Sequence, residues 1–588
     1  MGDAIKKLLK FFNKKEKKKL TFLLLLMIVA ALFETLGVGL IVPFIGIITN
    51  PDFIQEQALL SYLYEILNFK TTQSFIIYIT FFLLGVFYLK NIYLLIFNYF
   101  QYKIILNQQV KLSKKLFHAY LTKPYTFHLE HNSASLIRNV NGEVGKVFQG
   151  IILSGFQLIT EGLIITFITV LLLVTEPIAT LTASILLGGS VFLFFRIFRI
   201  KIGQLGKEHQ KVGGALIKWV KQGLGATKEV KVSGKEQFFV NEYQKQSEIL
   251  VHNNRYLKML ESSPRLFIES LLVTIILISM VIIIAQEIST TNLITTMALF
   301  AMAAFRIMPS INRVVGLMTS IKYNQPALAV VYDDLFMDEK FSKNVKAEVV
   351  TINKGENTFK ESIRLENVTF RYPNQKEFAI MDVSLTIPIG QSVAFIGESG
   401  AGKTTIVDII LGLYQPENGK VLVDEKDLEK QISLWQTKIG YIPQSIFLSD
   451  DTIRANIAFG VDDDQIEDDE VWRALEQAHL KEFVESLPDQ LETTVGERGV
   501  RLSGGQRQRI GIARALYHNP EIIFMDEATS ALDNQTEKEI MNAIDGLKGE
   551  KTLIIIAHRL STIENCDIVF KINKGRLVTI NKKLEQSS

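Results

Sequence analysis

Six long apolar runs fill the first half of the chain and restrict the folds open to it. Their bounds are 20–49, 75–100, 148–174, 178–198, 266–284 and 293–318. With a rise of about 1.5 Å per residue, each run is long enough as a helix to cross the roughly 30 Å of hydrocarbon in a bilayer. The sequence therefore predicts an all-α membrane domain of six spans.

The composition changes near residue 330, where Asp, Glu, Lys and Arg become dense. A mean hydropathy of +0.21 with 48% hydrophobic residues fits a membrane half joined to a soluble half. A chain of 588 residues is also too long for one core. We expect a transmembrane domain at 1–336, a linker at 337–361, a soluble domain at 362–580 and a tail at 581–588. The formal net charge of +3 gives nucleic-acid binding no support.

Lysine and arginine are distributed unequally between the two sides of the predicted spans. They are dense before the first span, between spans two and three, and between spans four and five, whereas the opposite loops carry few. This bias predicts that both termini are cytoplasmic. The two long basic segments are expected to reverse at short helices near 124–133 and 232–239 that dock on the soluble domain, although plain solvated loops remain an alternative. Residues 51–69 are expected to form an amphipathic helix on the outer surface.

Ionisable side chains inside membrane spans cost free energy, which makes them functional candidates. One interpretation is a water-filled cavity for an anionic cargo, because four of the candidates are basic. The other is internal pairing, with Glu34 or Glu269 bound to an arginine. The candidates are Glu34, Lys90, Glu161, Glu269, Arg306 and Arg313, with Arg265 at the approach to span five; Glu34, Lys90, Arg265, Arg306 and Arg313 form the predicted cargo cavity.

A glycine-rich stretch lies between the apolar run 392–396 and the periodic stretch 406–413. Strand, loop and helix in this order place backbone N–H groups at a helix N-terminus, which suits polyphosphate oxygens. Lys403 is expected to reach the β and γ phosphates and Thr404 to bind Mg²⁺. A chance glycine-rich turn is the alternative for this stretch alone. The stretch consists of Gly397, Glu398, Ser399, Gly400, Ala401, Gly402, Lys403, Thr404 and Thr405.

Polar residues at the ends of later strands and helices add to this site. Asp526 and Glu527 follow an apolar strand that begins at residue 522, so we expect Asp526 to bind the metal and Glu527 to act as the general base. Gln444 ends a predicted strand over 439–444 and is able to reach Mg²⁺ and the attacking water. A second helix start suited to a phosphate comprises Ser503, Gly504, Gly505 and Gln506.

Two further candidates are weaker when taken alone. Tyr372 lies upstream of the phosphate loop, where its ring could stack on a purine, and His558 follows a strand that ends near the γ-phosphate. As isolated residues, both would more often serve packing or structure.

In order, these motifs resemble the nucleotide-binding domain of ABC transporters over residues 363–574. The resemblance identifies Walker A at 397–404, the signature at 502–506, Walker B at 522–527 and a D-loop that ends at Asp533. It implies an α/β P-loop ATPase fused to a six-helix exporter-type transmembrane domain. ATP and Mg²⁺ would be the cofactors, with ATP between one subunit's Walker A and the other's signature. Hydrolysis would then be coupled to transport by a dimer, most simply of two copies.

Parts of the membrane half resemble the bacterial lipid-linked oligosaccharide flippases of protein N-glycosylation. These stretches are 33–35, 42–45, 141–144, 263–265 and 306–313. The resemblance implies a polyprenyl-pyrophosphate glycan as cargo in the bacterial cytoplasmic membrane, with membrane lipid and a second copy as partners and no nucleic acid. A multidrug or peptide exporter is the alternative among transporters, and an ABC-type ATPase that gates a channel or senses a ligand is the alternative outside them.

Overall fold

The chain divides into two compact units. One comprises Met1–Lys123 and His131–Ser342, and the other comprises Pro124–Glu130 and Lys343–Ser588. The predicted linker lies mostly outside the described residues, and the domain boundaries stay predictions. The structure is a computed structural model that describes residues 2–40, 44, 46–48, 53–175, 177–285, 290–336, 359–526, 544, 546–557, 563 and 565–582.

Helices make up the first unit, and one short helix in the same part of the sequence, Tyr125–Glu130, belongs to the second unit. The chain also has π-helical geometry over Asn139–Glu143 and Lys146–Leu153. The helices are α1 (Gly2–Lys10), α2 (Lys14–Gly39), α3 (Phe53–Glu56), α4 (Ala58–Ile66), α5 (Thr72–Thr122), α6 (Tyr125–Glu130), α7 (Ser133–Arg138), α8 (Ser154–Thr175), α9 (Pro177–Gly225), α10 (Thr227–Ser233), α11 (Glu236–Ala285) and α12 (Thr290–Phe336).

The predicted spans lie on the long helices. Within the described residues, four stretches are long and apolar enough to cross a membrane, and they overlap the first four predicted spans. The fifth and sixth predicted spans lie on α11 and α12, where many side chains fall outside the described part. Helix α5 alone has 51 residues, or about 75 Å at the usual rise, more than a bilayer requires. The four stretches are Lys14–Gly37, Thr72–Thr122, Ser133–Val174 and Thr180–Gly225.

A short helix lies at the predicted reversal near 124–133, whereas the short helix of the second reversal lies earlier than the predicted 232–239 and shares only residues 232 and 233 with it. Helices α6 and α7 follow the end of α5, and α10 follows the end of α9. Gly234 ends α10 in a left-handed conformation (φ 61°), and the N–H of Lys235 donates to the Val230 carbonyl at 3.1 Å. This is the hydrogen bond of a glycine-terminated helix, so the reversal is encoded locally. Residues 53–66 form α3 and α4 on the stretch predicted to be amphipathic.

Two sheets and several helices form the second unit. The strands are β1 (Ser362–Phe370), β2 (Ile380–Pro388), β3 (Ser392–Ile396), β4 (Asn418–Val423), β5 (Lys426–Asp427), β6 (Ile439–Ile442), β7 (Ile522–Asp526), β8 (Thr552–Ile556), β9 (Ile568–Asn573) and β10 (Arg576–Lys582). The helices are α13 (Lys403–Ile410), α14 (Ile432–Lys438), α15 (Ile453–Ile457), α16 (Asp468–Gln477), α17 (Lys481–Glu485) and α18 (Gly504–Leu516). The strands β2, β1, β4 and β5 make an antiparallel sheet in that order, whereas β10, β9, β3, β8, β7 and β6 make a sheet that is parallel apart from β10.

Alternate residues of the central strands face two different cores. Phe395 and Phe524 belong to the core shared with the antiparallel sheet and α13, whereas Ala394 and Met525 belong to the core that contains α18. Because both faces are covered, β3, β7 and β8 are apolar along nearly their whole length, as expected for buried parallel strands. Helices α13 and α18 therefore pack on opposite faces of one sheet.

Candidate nucleotide-binding site

The phosphate loop connects β3 to α13 and depends on glycine. Gly397, Gly400 and Gly402 have φ angles of 149°, 78° and 107°, which L side chains rarely adopt. A Cβ at Gly397 would also collide with the carbonyl oxygen of Ile572. Gly402 caps α13 without a side-chain hydrogen bond, so the first N–H groups of the helix are left for a ligand.

Lys403 lies inside this loop. It is 5% exposed, and its ammonium donates to the carbonyl oxygens of Gly397 (2.9 Å) and Glu398 (3.1 Å). No carboxylate among the described residues forms an ion pair with it. A buried cation without a counter-ion is costly, so this arrangement suits an anion such as a polyphosphate. The predicted role of Lys403 therefore fits the geometry of the loop.

Tyr372 is attached to the same helix. Its hydroxyl lies 2.8 Å from Oγ1 of Thr405, which is buried, whereas Thr404 beside it is exposed. The Tyr372 ring packs edge-on against Phe370 and Tyr414 at centroid distances of 5.3 and 5.7 Å. The ring is thus held in place beside the phosphate loop, and the Thr404 hydroxyl is accessible to a metal.

Asp526 ends β7 at the carboxyl edge of the parallel strands. Its register partner on β8 is Ile556, which pairs in turn with Phe395 on β3, so the strand ends that carry Walker A and Walker B lie at one edge. This is the edge at which open α/β sheets bind ligands. Gln444 follows β6, the strand next to β7, and is exposed. Glu527, Asp533 and His558 lie outside the described residues, so their roles stay predictions.

A carboxylate that the sequence analysis missed lies near Asp526. Asp408 is on α13, and burial, then the charge of Asp526, raises the pKa of its carboxyl to about 7. Burial and the same two carboxylates raise the pKa of Tyr441 to about 12. An acidic residue within the apolar stretch 406–411 was the available signal. The negative field around Asp526 is of the kind that a divalent cation relieves.

The described residues include three of the predicted Mg²⁺ ligands. Thr404, Gln444 and Asp526 offer oxygen ligands, which Mg²⁺ prefers. No group of three or more His, Cys, Asp or Glu side chains placed to hold a metal occurs among the described residues. Mg²⁺ in nucleotide sites is usually bound by one or two carboxylates together with substrate phosphates. When bound, Mg²⁺ would neutralise charge on the phosphates.

The signature motif begins α18 with a capping box. The N–H of Gln506 donates to Oγ of Ser503 (3.2 Å), and the N–H of Ser503 donates to Oε1 of Gln506 (2.8 Å). These reciprocal bonds fix the first turn of the helix. Ser503 and Gly504 are exposed, and a Cβ on Gly504 would meet no atom within 4 Å. The motif is thus open to a ligand, although α18 packs on the sheet face opposite α13.

Helix α6 belongs to the same unit as this site. The rings of Tyr125 and Tyr414 lie 5.9 Å apart, and Nδ2 of Asn374 donates to Oε1 of Glu130 at 2.7 Å. Tyr414 in turn contacts Tyr372. An aromatic series therefore connects α6 to the tyrosine beside the phosphate loop.

Some of the candidate cargo residues form ion pairs. Nζ of Lys90 lies 3.0 Å from Glu34, and Arg313 donates to Glu161 from Nε (2.5 Å) and Nη2 (3.1 Å). Arg265 on α11 is exposed. Arg306 lies on α12, but its side chain is outside the described part. In this conformation Lys90 and Arg313 thus have partners within the unit.

Known proteins resemble this chain along most of its length. Residues 20–307 match the family described as ABC transporter transmembrane region, and residues 380–530 match the family described as ABC transporter. A protein of Cupriavidus metallidurans named ATP-dependent lipid A-core flippase is 31% identical over 475 residues, which cover 80% of this chain and 78% of that protein. A protein of Ralstonia nicotianae with the same name is 30% identical over 483 residues, or 81% and 78% of the two chains.

Solved structures support the same fold. A bacterial Atm1-family ABC exporter with ATP bound superposes with a TM-score of 0.76 at 21% identity, covering 98% of this chain and 96% of the other. The match extends through both the helical unit and the unit with the phosphate loop, as the sequence resemblance implied. The chain belongs to the ABC transporter family, as an exporter-type half-transporter whose nucleotide-binding domain couples ATP hydrolysis to transport.

Proposed function

We propose that two copies of this chain form an ATP-driven flippase that moves a lipid-linked oligosaccharide across the bacterial cytoplasmic membrane, with both termini in the cytoplasm. The observation that carries the lipid assignment is the similarity, at about 30% identity over four fifths of the chain, to proteins named ATP-dependent lipid A-core flippase. The resemblance of five membrane stretches to lipid-linked oligosaccharide flippases supports the finer choice of a polyprenyl-pyrophosphate glycan.

The membrane charges are compatible with a pyrophosphate. Arg313 is half-exposed, and its bonds to Glu161 use Nε and Nη2, so Nη1 has no acceptor among the described residues. Arginine can bind a carboxylate and a phosphate at once because it has five donors in a rigid plane. Lys90, by contrast, would have to exchange Glu34 for the cargo. Arg313 is therefore the stronger candidate for the headgroup contact.

The positions of the two phosphate-binding helix starts support the proposed dimer. Helices α13 and α18 pack in different cores on opposite faces of the sheet, so one chain does not bring its own signature to its own Walker A. A second copy related by two-fold symmetry would supply the missing half of each site. ATP would then favour the joined state to the extent that it binds that state more tightly.

Mixed dimers test this arrangement. Lys403→Ala disables Walker A and Ser503→Arg disables the signature, and each variant alone should fail to occlude ATP. If each site uses two chains, a dimer of one Lys403→Ala chain and one Ser503→Arg chain contains one intact site and should trap nucleotide with Mg²⁺. Sites made within one chain would all be damaged in that mixture, and no trapping would occur. Coexpression with two affinity tags isolates the mixed species.

The cargo is tested in sealed proteoliposomes that contain a labelled polyprenyl-pyrophosphate glycan. We expect Mg-ATP to move the label to the opposite leaflet and the glycan lipid to stimulate ATP hydrolysis. Glu527→Gln is the matched control, because it should bind ATP but lose about 100-fold or more in turnover without its general base. Absence of movement with an active ATPase would exclude this cargo.

A lipid A-core-type glycolipid is the second candidate, favoured by the names of the relatives. Both cargos carry phosphate groups on a sugar-bearing lipid, so the residues named above do not separate them. The same vesicles loaded with either lipid do so, and preferential stimulation by the lipid A-core type would select this alternative.

A further inference from the structure

A cavity of about 660 Å³ lies between α9 and α12 within the first unit. Three basic side chains line it: Arg199 and Lys207 from α9, and Lys322 from α12. Gly203, Pro326 and Ala329 contribute apolar surface, and no acidic residue is among the lining side chains. Its volume is typical of small-ligand sites in proteins. The cavity is thus basic in charge and apolar in much of its wall.

The cavity lies where the predicted hydrocarbon ends. Arg199 is the first residue after the fourth apolar run, and Lys322 comes four residues after the sixth. At about 1.5 Å per residue these positions are within roughly 6 Å of the hydrocarbon boundary, the depth of the headgroup layer. Helix α12 continues from there towards the nucleotide-binding domain in sequence, so this end belongs to the side of the membrane that holds ATP.

The helix packing explains why the cavity exists. The two helices come so close at Gly206 that a Cβ there would collide with the carbonyl oxygen of Tyr323. One turn earlier, a Cβ at Gly203 would come within 3.3 Å of Cε of Lys322, so the lysine stem lies over a glycine. Nζ of Lys322 donates to Oε1 of Gln325 at 2.8 Å. The close crossing thus lies about one turn from the cavity, and the absence of a side chain at Gly203 makes room for the Lys322 stem in the cavity wall.

In the part of the chain that the structure describes, the three cations have no acidic partner, since no carboxylate forms an ion pair with Arg199, Lys207 or Lys322. Three like charges around one cavity repel each other, and an anion in their midst removes that repulsion. Arg313, on α12, does have an acidic partner, Glu161 on α8, so the three cations of the cavity differ from it.

We propose that this cavity binds the phosphate headgroup of an anionic phospholipid from the leaflet on the nucleotide side. A basic pocket between membrane helices at this depth is suited to such a headgroup, since that leaflet is rich in anionic lipid. Ile200, which also lines the cavity and is 64% exposed, offers apolar surface for the start of the acyl chains. A free phosphate has the same anionic chemistry but gains nothing from this surface. The lipid is distinct from the transported cargo, so the proposal is independent of the cargo assignment.

Lipid retention by the full-length protein tests the proposal. The protein is placed in nanodiscs of phosphatidylcholine with a minor fraction of phosphatidylglycerol, and the lipids that stay bound are counted by native mass spectrometry. We expect wild type to retain phosphatidylglycerol selectively and each removed cation to weaken retention about fivefold, so Arg199→Gln/Lys322→Gln should lose most of it. Lys211→Gln, an exposed lysine of α9 outside the cavity, is the matched control and should retain the lipid.

A second variant fills the space and keeps all three charges. Ala329→Phe should reduce retention as the double variant does, because the headgroup no longer fits. Equal retention in wild type, Arg199→Gln/Lys322→Gln and Ala329→Phe would overturn the proposal, as would an equal loss in Lys211→Gln. Inorganic phosphate titrated into phosphatidylcholine nanodiscs separates the two sources of the anion: binding as tight as that of the lipid would refute a lipid site.

Discussion

Asn139 and Asp334 are hydrogen-bonded across 195 positions of the chain, with Nδ2 of Asn139 donating to Oδ2 of Asp334 at 3.0 Å. The same amide donates to the Tyr120 hydroxyl (3.1 Å), which itself donates to Asp334. Asn139 begins the first π-helical segment, and Asp334 lies in the last turn of α12. Helices α5 and α12 are thus joined to the π-helical segment near the point where the chain leaves for the nucleotide-binding domain.

Asn139→Ala should destabilise the helical unit. The substitution removes a donor from the half-buried Asp334 carboxylate and from the Tyr120 hydroxyl, and an unsatisfied buried group costs about 1–3 kcal/mol. Thermal unfolding of the detergent-solubilised protein should show the loss. Asn253→Ala is the matched control, because Asn253 is equally buried but its Nδ2 has no hydrogen-bond partner within the described ranges. A similar loss in both variants would mean that the bonds of Asn139 contribute little.

The phosphate loop, Walker B strand and signature helix could be predicted from the sequence because each is specified locally. Glycines with positive φ, a capping box and uninterrupted apolar strands act over a few residues, as at Gly402 and Ser503. Partners distant in the sequence could not be predicted. The sequence suggests an ion pair of Glu34 or Glu269 with an arginine, which stays a prediction, but it does not indicate that Glu34 contacts Lys90 or that Arg313 contacts Glu161. Membrane helices that are apolar all round do not reveal which face meets which neighbour.

Asp408→Asn should remove a pH dependence from the nucleotide-binding domain. The carboxyl pKa is about 7 in the folded chain and ordinarily 3.8, so the folded state holds a proton that the unfolded state releases between these values. Unfolding free energy should therefore fall as pH rises from about 4 to 7, by on the order of 2 kcal/mol for a half-buried group. The amide has no such proton, and the variant should be the more stable protein at pH 8.

The measurement is the melting temperature of the full-length protein between pH 5 and 8, with a chelator and without nucleotide, because a bound cation would offset the charge of Asp526. Asp450→Asn, which changes an exposed carboxylate, is the control and should keep the wild-type profile. A profile of Asp408→Asn parallel to that of wild type would show that Asp408 is ionised throughout.

Two substitutions at Tyr372 separate the role of its ring in ATP binding from that of its hydroxyl. If the ring stacks on the purine, Tyr372→Phe should keep ATP affinity within about twofold, and Tyr372→Ala should weaken it about fivefold to tenfold, the value of one aromatic contact. The hydroxyl bond to Thr405 at 2.8 Å would then serve orientation only.

The affinities are measured by titrating wild type and each tyrosine variant, all with Lys403 unchanged, with a fluorescent ATP analogue. Tyr414→Phe is the control for the aromatic cluster, since it keeps the ring that contacts Tyr372. A loss in Tyr372→Phe as large as that in Tyr372→Ala would assign the effect to the bond with Thr405 and remove the stacking role.

The ion pair of Glu34 and Lys90 distinguishes internal pairing from a cargo contact. Both side chains are largely buried, with 8% and 12% exposed, and their nearest atoms are 3.0 Å apart. Lys90→Met removes a cation from beside a buried carboxylate, and breaking a buried ion pair in this way typically costs 3–5 kcal/mol, whereas Glu34→Met/Lys90→Met replaces the pair by apolar side chains at little cost. The single variant should therefore melt earlier, and the double variant should melt near wild type.

If the pair is structural only, the double variant should also flip its lipid cargo at the wild-type rate. If Lys90 exchanges Glu34 for a phosphate during transport, restored stability should come with reduced flipping, because the apolar replacement cannot bind the anion. Thermal unfolding and the vesicle assay on the same preparations separate these outcomes. If the single variant were as stable as wild type, the ion pair would not stabilise the folded protein.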